Sequence, residues 1–136
     1  DFGDYLRSLV THIIQRHCEH PENIHVEIEC GKIFFEIDTA IPAGLIVNEL
    51  VTNAVLHAFP DGQTGDLKIS LTDREQHYFL EVADSGAGFP DGVDVQTGGK
   101  LGLELVRALI EQLHGQLSMS RSRGTSIQIS IPYPGG

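Results

Sequence analysis

Tryptophan is absent, methionine occurs once and cysteine twice in this 136-residue chain. Cys18 and Cys30 form no Cys-x-x-Cys pair, so two free thiols in a reducing cytosol are expected rather than a disulfide framework. Basic residues are scarce, nine against nineteen acidic ones, for a net charge of -10. That balance argues against a nucleic-acid partner and against direct contact with an anionic membrane, and an anionic ligand would need a local device. No apolar run approaches the ~20 residues of a membrane span, and no basic start followed by an apolar segment suggests a signal peptide. A cytoplasmic location is expected, whether the parent protein is soluble or membrane-attached. The chain opens without Met and inside a helical pattern, which suggests an excised piece of something longer.

What the chain does have is one long apolar segment with a polar edge, residues 41–60, IPAGLIVNELVTNAVLHAFP. At about 100° per residue, Glu49, Asn53 and His57 fall within about 80° of one another, and Leu45, Ile46, Val47, Leu50, Val51, Ala54, Val55 and Leu56 cover the rest of a helix. A carboxylate, an amide and an imidazole buried without partners would be costly. They either satisfy one another in a core or line a ligand cavity.

Around this helix the chain reads in order. Tyr5, Leu6, Leu9, Val10, Ile13 and Ile14 repeat with the helical period and predict an amphipathic helix over residues 2–17. Its opening Asp1-Phe2-Gly3 matches the metal-binding triplet of eukaryotic-type protein kinases, but none of their other motifs accompanies it, so the match is read as coincidence. Residues 24–29 alternate as a half-buried strand, Gly31-Lys32 suggest a turn, and residues 33–38 a second strand, with Pro42 in the first turn of the central helix. A turn-rich loop at 60–65 then leads into alternation through Leu67, Ile69 and Leu71 and again over residues 78–82, two antiparallel strands joined near 73–76. Residues 101–113 predict a third helix ended by Gly115, and residues 116–120 and 126–131 two closing strands. The order α β β α β β α β β, with hairpins throughout, predicts an α/β two-layer sandwich: one domain, residues 1–136, with a mixed or antiparallel sheet covered on one face by three helices.

Three further stretches carry chemistry. Asp84-x-Gly86-x-Gly88 follows an apolar strand, which fixes a carboxylate at a strand end where glycines let a ligand approach the backbone; alone it is an ordinary turn. Gly98-Gly99-Lys100-Leu101-Gly102-Leu103 runs into the third helix, so free N–H groups and the helix dipole make an anion site there; alone it is a linker and a helix start. Gly124-Thr125 between two strands is by default a turn.

Taken together and in this order, these stretches resemble the histidine-kinase branch of the GHKL or Bergerat-fold ATPases over essentially the whole chain. NELVTNAVLHAFP looks like the family's asparagine box, DSGAGFP and GGKLGLELV like its two glycine boxes, and the stretches IPAGLIVNELVTNA and GTSIQISIP are most similar to kinases whose dimerisation hairpin carries an H-R-x-K-N-N type motif. No match to that hairpin occurs in these residues. The resemblance implies a catalytic ATP-binding domain with ATP and Mg2+ as cofactors, acting on a dimerisation and phospho-acceptor helical hairpin of the same kinase and indirectly on a response regulator. It implies that Asn53 donates its amide oxygen to Mg2+, and that Glu49 holds a metal water or orients the nucleophile. Asp84 would accept from the adenine amine, with Gly86 and Gly88 shaping the pocket and Thr125 in the same network. His57 would lie near ribose or phosphates, residues 89–100 would form a lid over ATP, and Gly99, Lys100, Leu101, Gly102 and Leu103 would face the phosphates. Leu56 stands where related kinases often carry Lys, so one phosphate cation is missing, and Lys100 is the candidate to replace it. Two other readings stay open: a serine kinase of the anti-sigma-factor type, with Glu49 as a true base, and a nucleotide-sensing module without transfer.

Overall fold

The computed structural model describes residues 2–18, 20–57, 64–85, 101–120 and 124–133, with only the backbone of residues 57 and 101–103. The elements are α1 (Phe2–His17), a 3₁₀ turn (Pro21–Asn23), β1 (Ile24–Cys30), α2 (Ile37–His57), β2 (Gly65–Arg74), β3 (His77–Asp84), α3 (Leu101–Gln112), β4 (Gln116–Ser120) and β5 (Thr125–Pro132). The strands form a single sheet in the order β1-β2-β3-β5-β4. β1 runs parallel to β2, and the other neighbours are antiparallel.

Period-two burial puts Leu67, Ile69, Leu71, Leu80, Val82, Ile127, Ile129 and Ile131 on one face, where they join Leu6, Val10 and Ile13 of α1, Ile46, Val47, Leu50 and Val51 of α2, and Val106 and Ile110 of α3 in one core. α2 is the middle helix of that layer and packs against α1, α3 and β3. The Tyr5 ring lies over Gly44, where an added Cβ would meet it at 3.0 Å, so the α1–α2 approach depends on the missing side chain. The other face of the sheet is polar: Glu81 accepts hydrogen bonds from Ser126 Oγ at 2.8 Å and Gln128 Nε2 at 3.0 Å. Cys18 and Cys30 are free and half-buried, and burial pushes both thiols up from their ordinary pKa.

The β2–β3 hairpin closes in two residues, Glu75 and Gln76, both at positive φ (53° and 62°), the twist-matched geometry usually filled by Asn-Gly. The helix-ending residue differs from expectation by one position. His114, at φ 59°, takes the left-handed conformation, and the Gly115 N–H then donates to Ile110 O at 2.9 Å.

The first half departs from the sequence reading more. No strand forms over residues 33–38, and no hairpin joins them to β1: residues 31–36 are irregular and α2 begins at Ile37. The alternation there has a different cause. Ile33 is buried and its carbonyl accepts from Phe2 N at 2.9 Å, while the Phe35 ring sits edge-on between Phe2 and Tyr78, with centroids at 4.8 and 4.7 Å. The side chains anchor a connector rather than line a sheet. β1 instead reaches β2 through α2, and a crossover of this kind is what parallel pairing requires. Pro42 is therefore inside α2, not in its first turn, and Glu36 O accepts from both Thr39 N and Ala40 N at the helix start.

α2 also corrects the expectation that no apolar run is long enough to span a membrane. Ile37–Leu56 spans 20 residues, reaches a mean hydropathy of 1.4 over an 18-residue window and meets that criterion by length and composition. Its place is nevertheless in the protein core, with Ile46, Val47, Leu50 and Val51 at most 1% exposed. The predicted apolar coverage is incomplete, because Leu45 and Leu56 are 42% and 50% exposed.

Candidate functional site

β3 and β5 bring the decisive pair together. Asp84, the last residue of β3, stands opposite Thr125, the first of β5, in a row that continues through Leu67 to Val26. Two-residue alternation places Asp84 on the face of Leu80 and Val82, and Thr125 on that of Ile127 and Ile129, so both belong to the helix-covered face at the end of the sheet. Directly paired residues of antiparallel strands carry Cβ atoms about 5 Å apart. Thr125 is 3% exposed, yet its Oγ1 has no hydrogen-bond partner among the described residues. An orphaned buried hydroxyl costs about 1–3 kcal/mol and calls for an explanation such as a bound ligand or water.

Backbone contacts hold Asp84 from two sides. Beyond it, the Ser85 N–H donates to Asp66 O at 3.0 Å and Ser85 Oγ accepts from Asp66 N at 2.8 Å, which extends the β2–β3 pairing past the strand end. Before Thr125, Gly124 has φ 102°, and a Cβ there would overlap the Asp84 carbonyl oxygen. The sequence reading missed Ser85 and Asp66 and read Gly124 only as a turn. The positive φ was foreseeable from a glycine between strands, but its contact with Asp84 depends on strand register.

Glu49 and Asn53 are half-buried on α2, beside the fully buried Leu50 and Val51. The polar edge is broader than the predicted stripe, since Asn48 and Thr52 are also half-buried. His57 is the last residue of α2, and its side chain lies outside the described residues. Leu101, Gly102 and Leu103 form the first turn of α3, as expected, with side chains outside the description. The first N–H groups of α3 have no partner within the helix, which leaves its start with donors and a positive dipole end. Gly86, Gly88, Gly99, Lys100 and the lid at 89–100 lie outside the described residues.

The fit to ATP and Mg2+ rests on donor chemistry. Glu49 and Asn53 offer two hard oxygen donors one turn apart, and among the described residues no group of three His, Cys, Asp or Glu could form an all-protein cage. Mg2+ bound through one or two protein oxygens plus substrate phosphates needs no such cage.

Sequence comparison decides the family. The model of the histidine kinase-, DNA gyrase B- and HSP90-like ATPases matches residues 38–135, which includes α2 from its second residue, Asp84, α3 and Thr125. The chain belongs to this family. Within it, the chain is 34% identical over 133 residues to blue-light-activated histidine kinase 2 of Erythrobacter litoralis, covering 96% of this chain and 38% of that protein. The solved histidine kinase domain of an Erythrobacter litoralis blue-light activated histidine kinase superposes with a TM-score of 0.88 at 30% identity, covering 96% of this chain and 60% of that one. The serine-protein kinase RsbW of Oceanobacillus iheyensis is 31% identical over 97 residues, 61% of each chain. Histidine kinases are thus among the family members that match the chain over nearly its whole length. The five-stranded mixed sheet with three helices is their catalytic-domain fold, and a nucleotide-binding role follows from membership.

Proposed function

We propose that this chain is the catalytic ATP-binding domain of a sensor histidine kinase, and that it transfers the γ-phosphoryl group of ATP to a histidine on a dimerisation hairpin of the same kinase. The observation that carries the reading is the buried Thr125 hydroxyl, without a partner among the described residues and directly opposite Asp84. A carboxylate beside a hydroxyl suits adenine: Asp84 accepts from the exocyclic amine, and guanine, which presents an acceptor there, is rejected. Gly86 and Gly88 let the base approach the backbone.

Asn53 and Glu49 would hold Mg2+, which supplies charge neutralisation at the phosphates. The start of α3, with Gly99, Lys100, Leu101, Gly102 and Leu103, and His57 at the end of α2, serve the phosphates and ribose. Residues 89–100 act as the lid. In the transfer, an imidazole nitrogen forms a bond to the γ-phosphorus, the bond to the β–γ bridging oxygen breaks, and ADP leaves with that oxygen. The imidazole proton passes to Glu49 or to water. A neutral imidazole is already nucleophilic, so Glu49 orients more than it deprotonates. In a two-component system the phosphohistidine then serves a response regulator, which places this domain in the cytoplasm.

The test is radiolabelled ATP with the chain alone, with the chain plus the acceptor hairpin of its parent kinase, and with the hairpin's acceptor His→Ala variant. Label should appear only on the unmodified hairpin, be lost in acid, and rise on tethering, because a short linker raises effective concentration to about the mM range. Label on the chain alone, or undiminished label on the variant hairpin, overturns the reading. An acid-stable product on a serine supports the anti-sigma-type alternative.

A further inference from the structure

The geometry points to Gly124 and Ser85 as positioning residues that set purine selectivity by fixing where the Asp84 carboxylate stands. The inference rests on the assignment of Asp84 to adenine. Asp84 ends its strand, and two lateral contacts bear on its backbone there. On one side is the reciprocal pair with Asp66, in which Ser85 N–H donates to Asp66 O at 3.0 Å and Ser85 Oγ accepts from Asp66 N at 2.8 Å. On the other is Gly124. Its φ of 102° is open to glycine and strained for any L side chain, and a Cβ there would overlap the Asp84 carbonyl oxygen and lie 2.9 Å from both Asp84 C and Ser85 Cα.

Those atoms are main chain and cannot swing aside as the tip of a side chain would. An added methyl must therefore displace the peptide that follows Asp84, or displace Gly124 and with it Thr125. Either shift separates the carboxylate from the buried hydroxyl it faces across the ladder. Selection of adenine over guanine depends on that geometry, because the penalty for guanine arises only when an acceptor is held against an acceptor. A displaced carboxylate should bind adenine less well and discriminate less, while the core beneath it, Val82 and Ile127, stays in place.

Gly115 supplies the control. It also approaches β5 closely, though less tightly, since a Cβ there would lie 2.7 Å from Ser130 O, and no Asp84 atom is among its nearest neighbours. The experiment measures ATP and GTP dissociation constants by titration calorimetry, with melting temperatures, for the unaltered chain and for Gly124→Ala, Ser85→Ala, Ser85→Thr and Gly115→Ala. Gly124→Ala should weaken ATP binding by about tenfold, the scale of one displaced hydrogen bond to a charged group, and bring the ATP to GTP ratio toward one. Ser85→Ala should do the same to a smaller degree, about threefold, and Ser85→Thr, which keeps the hydroxyl, should restore it. Gly115→Ala should melt earlier with its ratio intact. If Gly124→Ala fails to fold, the Ser85→Ala and Ser85→Thr pair still decides. A clear preference for ATP that both Gly124→Ala and Ser85→Ala retain overturns the positioning role and leaves the adenine assignment standing. No preference in the unaltered chain overturns the adenine assignment and this inference together.

Discussion

Asp84 and Thr125 face each other across the β3–β5 ladder, and the hydroxyl of the second is buried without a partner among the described residues. In a domain with no function at this point, a valine at position 125 would serve the fold better. The threonine keeps a polar atom that no described residue satisfies and that a ligand or water could.

Thr125→Val tests that trade directly. The isostere removes a buried hydroxyl that lacks a partner, so it should leave thermal stability unchanged or raise it by about 1 kcal/mol, while ATP affinity falls by about tenfold. Differential scanning calorimetry and nucleotide titration on the same samples provide both readings. A stability loss with ATP affinity intact would make the hydroxyl structural.

Asp84→Asn should weaken ATP binding by about 10- to 100-fold, the range expected when a charged hydrogen bond in a pocket is lost, with the circular dichroism spectrum preserved. The conserved shape of the amide makes a folding defect an unsuitable explanation for a large effect. Unchanged ATP affinity in calorimetry refutes the adenine assignment.

Asn53→Ala should erase most of the gain that Mg2+ gives to ATP binding and leave adenosine binding nearly unaltered. Its half-buried position next to Glu49 on α2 motivates this separation of metal from base. Equal losses with and without Mg2+ would assign Asn53 to the base or to the fold.

Glu81 gives a prediction about acid stability. Hydrogen bonds from Gln128 and Ser126, together with the charge of Lys68, hold its carboxyl below the ordinary value of 4.5 against the opposing effect of burial. Because the folded-state value is depressed, this stabilisation is present above pH 4.5 and disappears as pH falls through the folded value. Chemical denaturation across that interval should show a steeper acid loss for the unaltered chain than for Glu81→Gln. Parallel curves would mean that the network does not favour the ionised carboxyl.

The amphipathic helices α1 and α3, the five strands β1 to β5 and the buried central helix were all legible in the sequence, because each follows from a local hydrophobic period that its own residues set. The candidates Asn53, Asp84 and Thr125 were proposed from motifs along the chain, and the structure adds that Asp84 and Thr125 stand opposite each other. Two features were decided only by tertiary structure. Residues 33–38 alternate like a strand, yet β1 pairs with β2 instead, while Ile33 and Phe35 are held by α1 and by Tyr78 of β3. A period of two shows that alternate side chains are buried, but not whether a neighbouring backbone offers hydrogen bonds. The fit of Gly124 against Asp84 was likewise invisible, since a glycine in a turn announces freedom of φ and nothing about what lies opposite. Strand register, a property of the whole sheet, brings that glycine to the carboxylate and leaves no room for a side chain between them.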